Sequence, residues 1–319
     1  MKIYPLPLFP AFRHGKDTPW GGNKLKTLYG KQCDDVHTGE SLEMSVIPGL
    51  NSVDENGIAL SDLIAKYGTD LTGTEVTGEF PLLLKLIDAR ERLSVQVHPD
   101  DTYAKEHENK LGKTEAWAIL HAEPGAQLVY GIQEGTTAGR LRDACGNGKE
   151  IEKLLRYVPV HDGDVFYIPA GTVHAIGAGI VLYEIQQSSD VTYRFYDWDR
   201  ADAQGNKRAL HIKQALDVTR LDYQPQAVTP KPIEDPTCRR EELLNTPYFY
   251  LERLSDCGQT PFDAAISHFS VLTLLTEGTL AIDGISRSYP AGQTIFIPAN
   301  SVSFALSCGQ CLVSSPAHN

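Results

Sequence analysis

At 319 residues the chain is long enough for about two ordinary domains or one large all-β domain, and either can bury a full core. With 41% hydrophobic and 22% charged residues and a mean hydropathy of −0.25 it is globular, which excludes collagen, coiled coil and a disordered chain. Lys+Arg 29 against Asp+Glu 41 leaves a net charge of −12, so neither nucleic acid nor an anionic membrane is expected as a partner, and a phosphorylated ligand needs a local basic pocket.

The opening apolar stretch, Ile3 to Phe12, is interrupted by three prolines and followed by Arg13 and His14, unlike the hydrophobic segment of a signal peptide. No run approaches the roughly 18 apolar residues of a membrane span. Six cysteines, mostly scattered, do not make a secreted disulfide framework, so the chain is expected in the cytoplasm. Cys308 and Cys311 form one Cys-x-x-Cys. No second pair completes a four-thiolate zinc site, and both are read as reduced core or surface thiols.

Along the chain, a short helix capped by Ser61 is predicted over 62–67, then strands over 80–87, 93–97 and 116–121. A helix broken at 146–148 is predicted over 139–156, followed by strands over 164–168, 180–185 and 191–196 and a short helix over 209–216. Residues 197–200 read as a further strand that closes a barrel. Four prolines between Pro225 and Pro236 mark a linker, and strands over 271–275 and 294–297 follow. The runs are short, apolar or β-branched, and bounded by Gly, Pro and Asp, which predicts a mainly β protein of sandwich or barrel type with a few helical insertions.

Residues 163–174, Gly-Asp-Val-Phe-Tyr-Ile-Pro-Ala-Gly-Thr-Val-His, align with 292–303, Gly-Gln-Thr-Ile-Phe-Ile-Pro-Ala-Asn-Ser-Val-Ser, at a constant offset of 292 − 163 = 129. Gly, Ile-Pro-Ala and Val coincide, which points to a duplicated β unit. The copies diverge where chemistry would sit: Gly171 is matched by Asn300 and His174 by Ser303. A metal held through His174 is therefore expected in the first unit only.

In Ser94-Val-Gln-Val-His98 polar residues alternate with valines, so a strand carries Ser94, Gln96 and His98 on one face and Val95 and Val97 on the other. Asp100 and Asp101 after Pro99 read as the solvated turn that ends it. Lys113-Thr-Glu-Ala-Trp117 likewise projects Lys113, Glu115 and Trp117 together, although a surface ion pair also explains Lys113 and Glu115. A satisfied core histidine is the plainer account of His174 taken alone. Gln96, His98, Glu115 and His174 together offer two nitrogens and two oxygens, a donor set that suits zinc and is compatible with manganese, iron or cobalt.

The spacing Gly163-x5-Pro169-x-Gly171-x2-His174 resembles the second signature stretch of cupins, double-stranded β-helix barrels that hold a metal in the barrel mouth. Four motifs in order narrow this: Ser-x-Gln-x-His-Pro-Asp at 94–100, Lys-Thr-Glu at 113–115, Pro-Ala-Gly-Thr-x-His at 169–174, and Tyr-Glu-Ile-Gln-Gln-Ser-Ser-Asp-x-Thr-Tyr-Arg-x-Tyr-Asp-Trp-x-Arg at 183–200. Together they resemble type I mannose-6-phosphate isomerases of the short bacterial branch, from Trp20-Gly-Gly22 to Arg200 and only weakly beyond. Glu115 lies 115 − 98 = 17 residues past His98, farther than in common cupins, which agrees with that family. Leu42, in Gly39-Glu-Ser-Leu42-Glu, departs from it, since the family usually has Trp in this loop.

The resemblance implies two cupin-type barrels: residues 1–224 as the metal-binding catalytic domain, 225–236 as linker, and 237–319 as a degenerate barrel without metal ligands. It implies a metal-dependent isomerase that interconverts mannose 6-phosphate and fructose 6-phosphate through an enediol, with one divalent ion, zinc, on Gln96, His98, Glu115 and His174. Arg194 stands where the family carries its catalytic arginine; a salt bridge to a neighbouring Asp is the alternative. Lys113 is assigned to catalysis and substrate contact, Ser94 and Glu184 to substrate contact, and the base is left between Glu184 and a water. Two rival readings remain, a cupin dioxygenase and a non-catalytic sugar-phosphate sensor. The second would lack Arg194 or Glu115, and both are present.

Overall fold

The computed structural model describes residues 2–317 except 34, 36, 146, 203 and 264. The chain is mainly β, as the short β-branched runs predict. It divides into two compact units, one of residues 1–19, 23–86 and 228–319, the other of residues 20–22 and 87–227. Among the described residues no helix is long and apolar enough to cross a membrane.

The unit of residues 87–227 contains every residue singled out for chemistry. One antiparallel sheet runs in the order Tyr193–Tyr196, Val95–Val97, His174–Ala175, Gln127–Ile132, Leu155–Pro159. A second set pairs Ile180–Gln187 with Glu115–Ala122 and that strand with Val165–Ile168. Val95 and Val97 are fully buried in a core with Val129, Ile132 and Phe195, so their predicted face is the apolar one and Gln96 is left on the other. The strand starts two residues later than expected, at Val95, and ends at Val97 as expected, where Pro99 has no N–H to carry the ladder further. Asp100 and Asp101 are not a solvated turn. Asp100 caps the helix Asp101–Glu108, its carboxylate accepting from the Tyr103 N–H at 2.9 Å.

In the other unit the strands lie in the order Leu6–Leu8, Thr294–Ile297, Ser270–Leu274, Phe304–Pro316, Phe249–Phe262, Arg239–Asn245, Lys231–Ile233, with a hairpin of Gly278–Ile282 and Ile285–Tyr289 beside Phe304–Pro316. The repeat is structural. Val165–Ile168 and Thr294–Ile297 are both four-residue strands, offset by 294 − 165 = 129, and left-handed Gly163 (φ 88°) and Gly292 (φ 82°) precede them at matching positions.

Several expectations are corrected. The units divide at Ala227/Val228, within the expected linker, but residues 1–19 and 23–86 group with 228–319 rather than with 87–224, as when Leu6–Leu8 pairs with Thr294–Ile297 across most of the chain. Residues 231–233 of that linker form a strand paired to Arg239–Asn245. The loop around Leu42 is the middle of strand Thr38–Met44, with Leu42 fully buried. Residues 197–200 are a turn: the strand ends at Tyr196, Trp198 and Asp199 are left-handed (φ 57° each), and the Trp198 indole donates to Leu93 O at 2.6 Å. The first predicted helix runs Leu60–Tyr67, after an unpredicted helix Lys24–Tyr29, so Ser61 lies in its first turn and caps nothing. Helix Ala138–Cys145 gives way to a 3-10 turn Gly148–Leu154 and a strand, with Gly146 of the predicted break outside the described residues. The last predicted helix is Ile212–Val218.

Candidate metal centre

His98, Glu115 and His174 converge in the unit of residues 87–227. Their ligand atoms all lie within 4.8 Å of one another, and the three side chains are at most 1% exposed. Each arrives by a different local device. His98 directly follows strand Val95–Val97, Glu115 opens strand Glu115–Ala122, and His174 opens strand His174–Ala175, which pairs with Gln96 in register. The Pro169-Ala-Gly171 turn that delivers His174 is clipped down by Gly171 N–H to His98 O (2.9 Å) and Ala170 N–H to Thr114 Oγ1 (3.2 Å). Gly171 has φ +86°, and a Cβ there would lie 2.6 Å from Arg220 Cγ, so only glycine fits.

The proton placement follows from the partners. His98 Nδ1 is 2.9 Å from Val191 O and His174 Nδ1 is 2.8 Å from Thr172 O; a carbonyl only accepts, so both Nδ1 atoms carry the proton. Burial, reinforced by the Lys113 charge, pushes His98 down to about 3, and burial also lowers His174, so both rings are neutral with a bare lone pair on Nε2. Those lone pairs face one carboxylate: His98 Nε2 to Glu115 Oε2 at 3.4 Å, His174 Nε2 to Glu115 Oε1 at 3.2 Å. Burial alone would raise Glu115, but Lys113, His98 and His174 reverse this and hold its carboxyl well below the usual carboxylate range.

Acceptor therefore faces acceptor in a buried pocket, and His98 Nε2 and both Glu115 oxygens receive no hydrogen bond. A divalent cation between these atoms would resolve this. Donors at about 2.1 Å around a tetrahedral ion lie about 3.4 Å from each other, close to the separations found here. Gln96 stands next to the triad, its amide nitrogen 3.3 Å from His174 Nε2 and its Oε1 3.4 Å from the Ser94 hydroxyl. A half-turn of that amide would aim Oε1 at the triad instead.

Lys113 Nζ lies 3.2 Å from Glu115 Oε2, and the pair is buried rather than a surface ion pair. Arg194 pairs with Gln96 across neighbouring strands, which puts both side chains on the same face. Its Nη1 donates to Ala209 O at 2.9 Å and its buried Nε has no partner. Glu184 is buried opposite Trp117, whose indole N–H donates to it at 2.9 Å, and the Trp117 ring meets His174 edge-on at 5.4 Å.

The family model "Phosphomannose isomerase type I, catalytic domain" matches residues 16–124. The mannose-6-phosphate isomerase of Streptococcus mutans is 38% identical over 283 residues, 88% of each chain. The chain belongs to the type I phosphomannose isomerase family. Mannose-6-phosphate isomerase ManA of Bacillus subtilis is 36% identical over 98% of this chain and 99% of its own. A crystal structure of the mannose 6-phosphate isomerase from Bacillus subtilis superposes with a TM-score of 0.90 at 29% identity, covering 98% of this chain and 99% of that one. A phosphomannose isomerase from Salmonella typhimurium shares the fold at 17% identity, with a TM-score of 0.79 over 99% of this chain and all of its own.

In this phosphomannose isomerase family member the matched segment contains Gln96, His98, Lys113 and Glu115, while His174 and Arg194 lie beyond it. The groups that orient the ligands escape a reading of side-chain types, because two are backbone carbonyls, Val191 O and Thr172 O. Thr114 and Gln187 lie inside the motifs at 113–115 and 183–200. Gln187 Oε1 accepts from Thr114 N–H at 2.9 Å, which fixes the strand that presents Glu115.

Proposed function

We propose that this chain interconverts mannose 6-phosphate and fructose 6-phosphate through an enediol, with one divalent ion, zinc, held by His98, Glu115, His174 and Gln96. The observation that carries the reading is the pair of neutral imidazoles whose unprotonated Nε2 atoms face one buried carboxylate, in a chain whose relatives are named for this reaction. The ion would supply Lewis-acid stabilisation of the negative charge that develops on the sugar oxygens. The chain's own residues do the rest. Lys113, beside Glu115, offers a fixed cation at the sugar or its phosphate. Arg194 offers the unpartnered Nε–H and a planar fork to two neighbouring oxygens of the enediolate. Ser94 orients the Gln96 amide and is assigned to substrate contact with Glu184, which steadies Trp117 against His174. The proton shuttled between C1 and C2 is assigned to Glu184 or a water.

In this reading the repeat marks two cupin-type barrels, and the copy that ends in Ser303 holds no metal: Ser303 is exposed where His174 is buried. The acidic chain with few, scattered cysteines supports a cytoplasmic enzyme acting on a small phosphorylated sugar. A coupled assay with mannose 6-phosphate, run with and without chelator, tests the proposal. Oxygen consumption in place of isomerisation would favour a cupin dioxygenase.

A further inference from the structure

The sequence offers one Cys-x-x-Cys with no second pair, yet the fold gathers four cysteines. Cys238, Cys257, Cys308 and Cys311 share one apolar cluster, at 9%, 6%, 8% and 0% exposure. Cys257 and Cys308 lie directly opposite each other on antiparallel strands Phe249–Phe262 and Phe304–Pro316. Cys238 precedes strand Arg239–Asn245, which flanks Phe249–Phe262 on its other side. Thiol contacts run from Cys238 to Cys257, from Cys257 to Cys308 and from Cys308 to Cys311. Cys308 and Cys311 both face inward because the alternation of the strand slips at exposed Gly309: Leu306 and Cys308 are buried, then Cys311 and Val313.

Directly opposed residues on antiparallel strands have Cα atoms about 4.5 to 5.5 Å apart, inside the range of about 4.4 to 6.8 Å that a disulfide spans. We propose that Cys257 and Cys308 form a cross-strand disulfide when the protein meets a hydroperoxide, with Cys238 as the thiol that reacts first. Cys238 lines an open surface cavity of about 820 Å³ with Pro232, Asp235, Arg239 and Arg240, so the oxidant reaches it before the others. The strand can give at the pair: Asp256 (φ 55°) and Gln259 (φ 58°) are left-handed and the register shifts between Cys257 and Thr260.

The chemistry balances in three steps. The Cys238 sulfur attacks one oxygen of hydrogen peroxide, the O–O bond breaks, and a sulfenic acid and one water result. The Cys257 sulfur then displaces that hydroxyl, which leaves as a second water with the Cys257 proton, and a Cys238–Cys257 disulfide forms. Finally the Cys308 sulfur attacks Cys257, the bond to Cys238 breaks, and the Cys308 proton passes to Cys238, restoring its thiol. Two thiols lose two electrons and one peroxide becomes two waters. Burial raises the Cys238 thiol, and contact with Cys308 together with burial raises Cys257, so the cluster reacts slowly and needs sustained oxidant.

The full-length protein is incubated with hydrogen peroxide, denatured, alkylated and mapped by mass spectrometry. The expected result is loss of two thiols and a peptide linked through Cys257 and Cys308. Cys238→Ser should slow its appearance about tenfold or more without changing the product, and Cys308→Ser should stop the sequence at a Cys238–Cys257 bridge. Cys→Ala versions, with circular dichroism to confirm folding, replace any serine variant that fails to fold. Six intact thiols, oxidation confined to Cys33 and Cys145, or overoxidised Cys238 with no bridge would overturn the proposal. So would protection of all four thiols by added zinc with no bridge under oxidant, which would make the cluster a metal site instead.

Discussion

His98 and Glu115 face each other across 3.4 Å, nitrogen lone pair to carboxylate oxygen, with the only imidazole proton turned away to Val191 O. Two acceptors this close in a buried site repel unless a cation lies between them. His174 repeats the relationship on the other carboxylate oxygen. The triad is thus arranged so that it could hold a divalent cation. His174→Ala should lose bound metal and isomerase activity together, whereas Ser303→Ala, at the exposed matching position of the repeat, should change neither. Elemental analysis of the purified variants, with one equivalent expected in the parent chain, checks this. Two equivalents in the parent would contradict it.

Lys113 sits 3.2 Å from Glu115, the carboxylate proposed to hold the metal, so its charge would lie close to a sugar bound at that metal. Lys113→Ala should weaken turnover of the phosphorylated sugar by about 2 to 4 kcal/mol, within the range for removing one partner of a buried charge pair. Comparison with residual activity on free mannose assigns the role. A loss confined to KM for the phosphorylated substrate marks a phosphate contact, and equal losses on both substrates mark a place beside the reacting carbons.

Arg194 shares a face with Gln96 and keeps a buried N–H donor without a partner. Arg194→Ala should lower kcat by roughly 10² to 10³ with little change in KM, as removal of a preorganised donor does. Metal content should be unchanged. Lys at this position should recover only part of the loss, because it supplies charge without the planar fork. A variant that keeps kcat but loses metal would move the catalytic cation elsewhere.

Much of the candidate metal centre's geometry is legible in the sequence because strand alternation and the Pro-x-Gly turn are local. Val95 and Val97 fix which face Gln96 takes, and Gly171 fixes where His174 enters. What is not legible is long-range. Nothing near Leu6 announces its pairing with Phe296, which ties the start of the chain to strands near its end. Nothing near Cys238 or Cys257 announces Cys308, since cross-strand register and the slip at Gly309 bring them together. The tautomer of each histidine depends on backbone carbonyls, which every residue has.

Gly171 supports a stability prediction of its own. Gly171→Ala forces a side chain onto a left-handed backbone and against Arg220 Cγ at 2.6 Å and Val218 O at 2.9 Å. The cost should exceed about 1 kcal/mol, since Ala at a positive-φ site is strained even without a clash. It should also weaken metal binding, because the same residue ties the turn to His98. Thermal melts and metal titrations of the variant should therefore move together; a lowered Tm with unaltered metal affinity would separate the turn from the site.

A single divalent ion on His98, Glu115 and His174 would enable aldose–ketose isomerisation of a phosphorylated sugar. The most direct measurement is the rate of fructose 6-phosphate formation from mannose 6-phosphate by protein stripped with a chelator, then titrated with zinc. Activity near zero is expected in the stripped protein, with full recovery at one equivalent. An undiminished rate after the metal has been removed would contradict it.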